Sequence, residues 1–150
     1  MPYSVHFLEG GSMTLKGGLI GVVAVSGLMY LADWGFYMGI CPTPPEVKAA
    51  FGTLMFTEAN MPNPGWYFLM ELCVAGLLAF ACLQTTLSTS QAAQRGALVF
   101  AMVAGAIGIS WGMTLNVPVP MSMIFTELAY KVVLGAVSGV VLVMVSKRFS

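Results

Sequence analysis

Apolar positions in this chain neither alternate nor form one amphipathic stripe; they run on for whole stretches separated by short polar segments. Crossing a hydrocarbon core about 30 Å thick takes roughly 20 predominantly apolar residues in a helix. Four stretches reach that length, at about Gly17–Ile40, Gly65–Leu87, Ala97–Leu115 and Met121–Val145. The third ends in NVPVP, where Pro118 and Pro120 cannot continue a helix, so a tight reversal follows it. No internal repeat and no long linker divides the chain, and residues 1–150 form one expected domain. The fold class this predicts is all-α, an integral-membrane four-helix bundle.

The one sizeable polar-edged loop, Cys41–Pro64, carries its own pattern. Thr43 and Glu46 have capping-box spacing, Pro44 and Pro45 suit a first helical turn, and Val47, Ala50, Phe51, Leu54 and Met55 recur at helical spacing. A short amphipathic helix over about Pro44–Phe56 is expected in this first, outer loop, as an interfacial anchor or as a lid.

Composition sharpens the class. Hydrophobic residues make up 58% of the 150 and charged residues 8%, far below the quarter or so typical of soluble domains. The net charge is zero and the cations are scattered, which leaves no basic stripe for nucleic acid. Cys41, Cys73 and Cys82 form no Cys-x-x-Cys pair, and neither a disulfide framework nor a structural zinc is expected. The first apolar run contains Asp33 and continues to Ile40 without a cleavage-site pattern, which argues against a removed signal peptide.

Charge also orients the spans. Lys16, Arg95, Lys147 and Arg148 share one side, against Lys48 on the other, so both termini are expected in the cytoplasm of a cell with the protein in its inner membrane. Trp34, Trp66 and Trp111 all fall near outer ends of spans, where an aromatic belt would anchor.

Helices in lipid associate through small residues that let backbones approach. Gly17 and Gly21 supply such a face on the first span, and Ala75, Ala79 and Cys82 on the second. Ala101, Gly105, Gly108 and Gly112 do so on the third, Gly135 and Gly139 on the fourth. This spacing serves contacts within a chain and between chains alike. The expected partners are therefore the lipid bilayer and, beyond it, a second copy or a larger membrane complex.

Asp33, Glu71 and Glu127 each lie six or seven residues from the outer end of a span, at a common depth of roughly 10 Å, and Lys131 sits one turn deeper. Glu127 and Lys131 share a face at i, i+4, which continues through Gly135 and Ser138. Charges at such depth cost about 2.5–3.5 kcal/mol and usually turn inward and pair. A structural role has Lys131 held by Glu127 and by Asp33 or Glu71, fixing the register of three helices. The alternative starts from three carboxyls against one ammonium: either one carboxyl keeps a proton, or a proton or cation visits, as in a small coupled transporter. Tyr30, Tyr37 and Tyr67 are candidate hydroxyls, while Tyr130, adjacent to Lys131 in sequence, is expected to point elsewhere.

Signals for catalysis are lacking. His6 lies in the N-terminal tail, and no nucleophile elbow, zinc-binding His pair or phosphate loop occurs. The twelve methionines are not clustered as soft-metal ligands would be. A non-enzymatic protein without metal or cofactor is expected, in a structural or accessory role. From Gly65 on, the order WYFLMELCVAGLLAFACL, RGALVFAMVAGAIGISWGM, a proline-bearing turn and ELAYKVVLGAVSGVVLVMVSK resembles small four-helix bacterial membrane proteins of unknown function. That resemblance implies a bacterial inner-membrane protein and no particular activity.

Overall fold

The computed structural model describes residues 14–51, 63–83, 87–114 and 119–150, without the side chains of 51 and 111–114. Among them all regular structure is helical: α1 (Leu15–Gly35) runs into a π-helical turn (Phe36–Ile40), followed by α2 (Pro45–Phe51), α3 (Pro64–Cys82), α4 (Thr89–Thr114) and α5 (Met121–Arg148). Four of these segments are long and apolar enough to cross a membrane, Leu15–Ile40, Pro64–Cys82, Thr89–Ser110 and Met121–Arg148, with mean hydropathies of 1.5 to 2.2.

The helix ends follow from local chemistry. Thr14 caps α1 by accepting from the Gly17 N–H at 3.1 Å, and Asn63 caps α3 by accepting from Gly65 at 2.8 Å, with Pro64 in the first position, where no N–H is needed. Lys147 and Arg148 lie in the last turn of α5, where cations complement the helix dipole. Two boundaries differ from the hydropathy reading. The α3 helix stops at Cys82 rather than reaching Leu87, and α4 begins at Thr89 rather than Ala97, because its first two turns are polar and invisible to a search for apolar runs. In the loop after the first span, α2 covers Pro45–Phe51; Val47 is buried but Ala50, expected on the same face, is exposed. Leu54, Met55 and Phe56 lie outside the described residues.

The bundle order around its axis is α3, α1, α5, α4, with α3 touching α4 to close the ring. The Thr14 N–H donates to Ser150 Oγ at 3.2 Å, so both described chain ends meet at one end of the bundle. Two seams dominate. Toward α1, Leu142 and Ser146 of α5 meet Gly21, and a Cβ built on Gly17 would strike the Ser146 carbonyl oxygen and Ser150. Toward α4, Gly135 and Gly139 pack backbone to backbone against Gly96 and Ala92, and a Cβ on Gly135 would stand 2.6 Å from Phe100 Cβ. So α5 carries two ridges one residue apart, Leu134-Ser138-Leu142-Ser146 and Gly135-Gly139-Val143, all buried.

The α4 face differs from expectation. Among the described residues Gly96, not the Gly105-Gly108 stretch, makes the close approach: none of them comes within 4 Å of a Cβ added at Gly105, and Gly108 meets Ile124 at 3.9 Å. The side of α4 at Gly112 lies outside the described side chains.

Burial divides the bundle along its length. No residue of α3 before Glu71, of α4 from Ala101 to Ser110, or of α5 before Leu134 is buried. Every residue from Asn63 to Met70 is exposed, which for two helical turns means all faces. The end holding Thr14 and Ser150 is therefore closely packed, and the opposite half is less buried, with Met29, Phe36, Val47 and Glu71 buried among its described residues.

Candidate functional site

The charged cluster sits where the closely packed and the less buried halves meet. Three helices deliver it: Asp33 from α1, Glu71 from α3, and Glu127 and Lys131 from α5. Measured along the helices, Asp33 lies seven residues from Ile40 and Glu71 seven from Pro64, each about 10 Å deep. Lys131, ten residues from Met121, lies about 15 Å in.

Lys131 Nζ donates to Asp33 Oδ2 at 2.5 Å, with side-chain exposures of 17% and 13%. Tyr130 OH donates to the other oxygen, Asp33 Oδ1, at 2.8 Å. One carboxylate thus takes a charge-assisted bond and a phenolic bond, both from α5. Glu71 is 4% exposed and adjoins Asp33 within hydrogen-bonding reach.

Glu127 has a different partner from the one its i, i+4 spacing suggested. It accepts from Tyr37 OH at 2.5 Å, while Lys131 turns across the helix interface to Asp33. An interhelical carboxylate offers the ammonium a bond that removes a buried charge from α1; the intrahelical pairing would have left Asp33 with the phenol alone.

Aromatic rings finish the site. Phe36 stacks on Tyr130 with centroids 3.8 Å apart and planes 3° from parallel, and packs edge-on to Tyr37 at 5.2 Å. Lys131 Nζ lies 5.6 Å from the Tyr130 ring centre and 5.8 Å from that of Tyr37, within cation–π range of both. The π-helical turn, closed by Cys41 N–H to Phe36 O at 2.8 Å, begins at Phe36, so the widened turn starts inside this cage. Such turns recur at functional sites.

Asp33, Glu71 and Lys131 therefore come together, and Glu127 joins through Tyr37 rather than through Lys131. Tyr130 corrects the expectation drawn from adjacency: two neighbouring residues about 100° apart can both reach one acceptor lying between them when both side chains are long. Tyr37 was a candidate hydroxyl on the i+4 position from Asp33, which was the available signal; the Phe36–Tyr130 stack had none. Among the described residues no group of three His, Cys, Asp or Glu is arranged to hold a metal ion.

Away from the cluster, two fully buried hydroxyls, Ser138 and Ser146 on α5, have no hydrogen-bond partner among the described residues, while Ser26 on α1 donates to the Val22 carbonyl at 2.8 Å. At the packed end Lys147 Nζ donates to the Leu87 carbonyl and an Arg95 Nη1 to the Ala81 carbonyl, both at 3.0 Å, tying α4 and α5 to the chain around the end of α3.

Compared with protein-family models, curated proteins and solved structures, the chain matches none of them. Its function is argued from this geometry.

Proposed function

We propose that the protein is a small integral inner-membrane protein with a structural or accessory role, in which the Asp33–Lys131 pair and its attached groups fix the register of α1, α3 and α5. The carrying observation is that one partly desolvated carboxylate is bonded at both oxygens by consecutive residues of another helix. Lipid supplies little hydrophobic drive between helices, so a directional polar bond is an effective way to specify one alignment. Slipping α5 by a turn along α1 would break both bonds and misplace Gly135 and Gly139 against Gly96.

Orientation follows the positive charges: the end where Thr14 meets Ser150 also carries Lys16, Arg95, Lys147 and Arg148, and we place it in the cytoplasm. The open Gly105 side of α4 suits contact with a second copy or a larger membrane complex.

A proton- or cation-coupled transporter is the second reading. It is favoured by one observation, the excess of carboxyls over ammonium in the cluster, with Glu71 deepest in burial. A double-mutant cycle between Asp33→Asn and Lys131→Met, read as stability in detergent, tests the first reading; proton and cation flux in proteoliposomes tests the second. Strong coupling without flux supports the register role. Additive effects sink it, and flux abolished by Glu71→Gln installs the transporter in its place.

A further inference from the structure

The end of the bundle where Thr14 meets Ser150 is lopsided in charge. Lys16, Arg95, Lys147 and Arg148 lie there, all exposed. Of the six Asp and Glu, Asp33, Glu71 and Glu127 belong to the cluster, Glu46 and Glu58 to the loop after the first span, and Glu9 alone precedes α1, outside the described residues. Two of the four cations are anchored on main-chain carbonyls, Arg95 on that of Ala81 and Lys147 on that of Leu87. Lys16 and Arg148 have neither a hydrogen bond nor an ion pair among the described residues, and each stands two residues from the Thr14–Ser150 contact. A second feature lies below Lys16. Leu19, Ile20, Val23 and Ala24 line an open, almost wholly apolar groove of about 390 Å³. They follow Lys16 at i+3, i+4, i+7 and i+8, so groove and ammonium share one face of α1, turned away from the buried Gly17, Gly21 and Val25. From Lys16 to Ala24 this face runs about 12 Å into the membrane.

We propose that this end holds an anionic phospholipid, its phosphate on Lys16 and Arg148 and one acyl chain along the Lys16 face of α1. Cations at a membrane surface each add to the attraction for anionic lipid, and here four face one carboxyl. A zwitterionic headgroup would bring its own ammonium against them, so the charge balance selects a headgroup that carries the phosphate alone. The groove separates a lipid from a free phosphate, because only the lipid has a chain to lay in it. The proposal rests on reading the chain as a membrane protein with this end in the cytoplasm. It goes beyond the register role, which involves other residues at another depth.

Thermal unfolding of the full chain in micelles of a neutral maltoside detergent would be followed against the mole fraction of phosphatidylglycerol. Phosphatidylcholine with the same chains and soluble glycerol phosphate serve as controls. A ligand that binds only the folded protein raises the midpoint saturably. The expected result is a saturable rise with phosphatidylglycerol, at a lower half-saturating fraction than with phosphatidylcholine, and no rise with glycerol phosphate. Lys16→Gln and Arg148→Gln should each raise the half-saturating fraction of phosphatidylglycerol about fivefold, and about 25-fold together, while leaving that of phosphatidylcholine unchanged. Lys48→Gln, at the opposite end, should change neither. Ala24→Trp fills the groove and should weaken both lipids alike. Equal responses to the two lipids, a rise with glycerol phosphate, an unchanged phosphatidylglycerol response in the double variant or in Ala24→Trp, or a loss in Lys48→Gln as large as in Lys16→Gln overturns the proposal. Such a failure leaves the register role standing, since the Asp33–Lys131 cycle is read with no lipid added.

Discussion

Replacing Lys131 by Met removes the ammonium and keeps an unbranched side chain of similar reach, so the loss is mainly electrostatic. Exposed ion pairs contribute about 0–1 kcal/mol, whereas removing one partner of a buried pair costs about 3–5 kcal/mol because the other charge is stranded. With side-chain exposures of 17% and 13% this pair belongs near the second case. Tyr130 still donates to Asp33 in the variant, which moves the expectation to the low end, about 3 kcal/mol at neutral pH. The stability gap between parent and variant at neutral pH reads the cost of that stranded charge. Equilibrium unfolding in mixed detergent micelles, followed by tryptophan fluorescence, measures the gap. A gap under about 1 kcal/mol at neutral pH would refute the claim that Asp33 depends on Lys131.

Other substitutions test separate parts of the structure. Gly135→Ala drives a methyl into the Gly96 carbonyl and Phe100 and should destabilise by about 1–3 kcal/mol, while Gly105→Ala, with open space around it, should leave unfolding unchanged. Tyr37→Phe deprives Glu127 of its phenolic donor and should cost about 1.5 kcal/mol or more by the same unfolding assay. Ser138→Ala deletes a buried hydroxyl that has no partner, and should stabilise by about 1 kcal/mol; a loss of stability would mean that the hydroxyl is satisfied. Lys147→Ala releases the Leu87 carbonyl and should speed proteolysis of the loop between α3 and α4 with little change in global stability.

Hydrophobic run length was enough to place four apolar helices, because lipid-crossing segments must satisfy their backbone internally and carry little polarity. It was weaker at helix ends: Thr89 to Gly96 form helix through caps and backbone bonds that hydropathy does not register, and this hid Gly96 from the set of packing glycines. Gly135 and Gly139 were legible because they sit on a face already marked by Glu127 and Lys131. Gly105 and Gly108 have the same spacing and no matching role inside the chain, since spacing says that a helix has a smooth side and not which neighbour lies against it.

Asp33, Glu71, Glu127 and Lys131 stand out in any reading of the sequence, because charges within apolar runs are costly and turn inward. Which carboxyl takes the ammonium is decided by the tertiary fold. The intrahelical distance from Glu127 to Lys131 is fixed by helix geometry, but the choice of Asp33 depends on how α1 and α5 align through Gly21, Leu142 and Ser146, several turns away. The same alignment brings Tyr130 to Asp33, Tyr37 to Glu127 and Phe36 onto Tyr130. The sequence by itself determined four long apolar helices and how far along them the charges lie, consequences of local hydrophobicity and a fixed rise per residue. Partner choice and the π-helical turn belong to the tertiary structure, because each depends on the relative placement of separate helices, which no local pattern encodes.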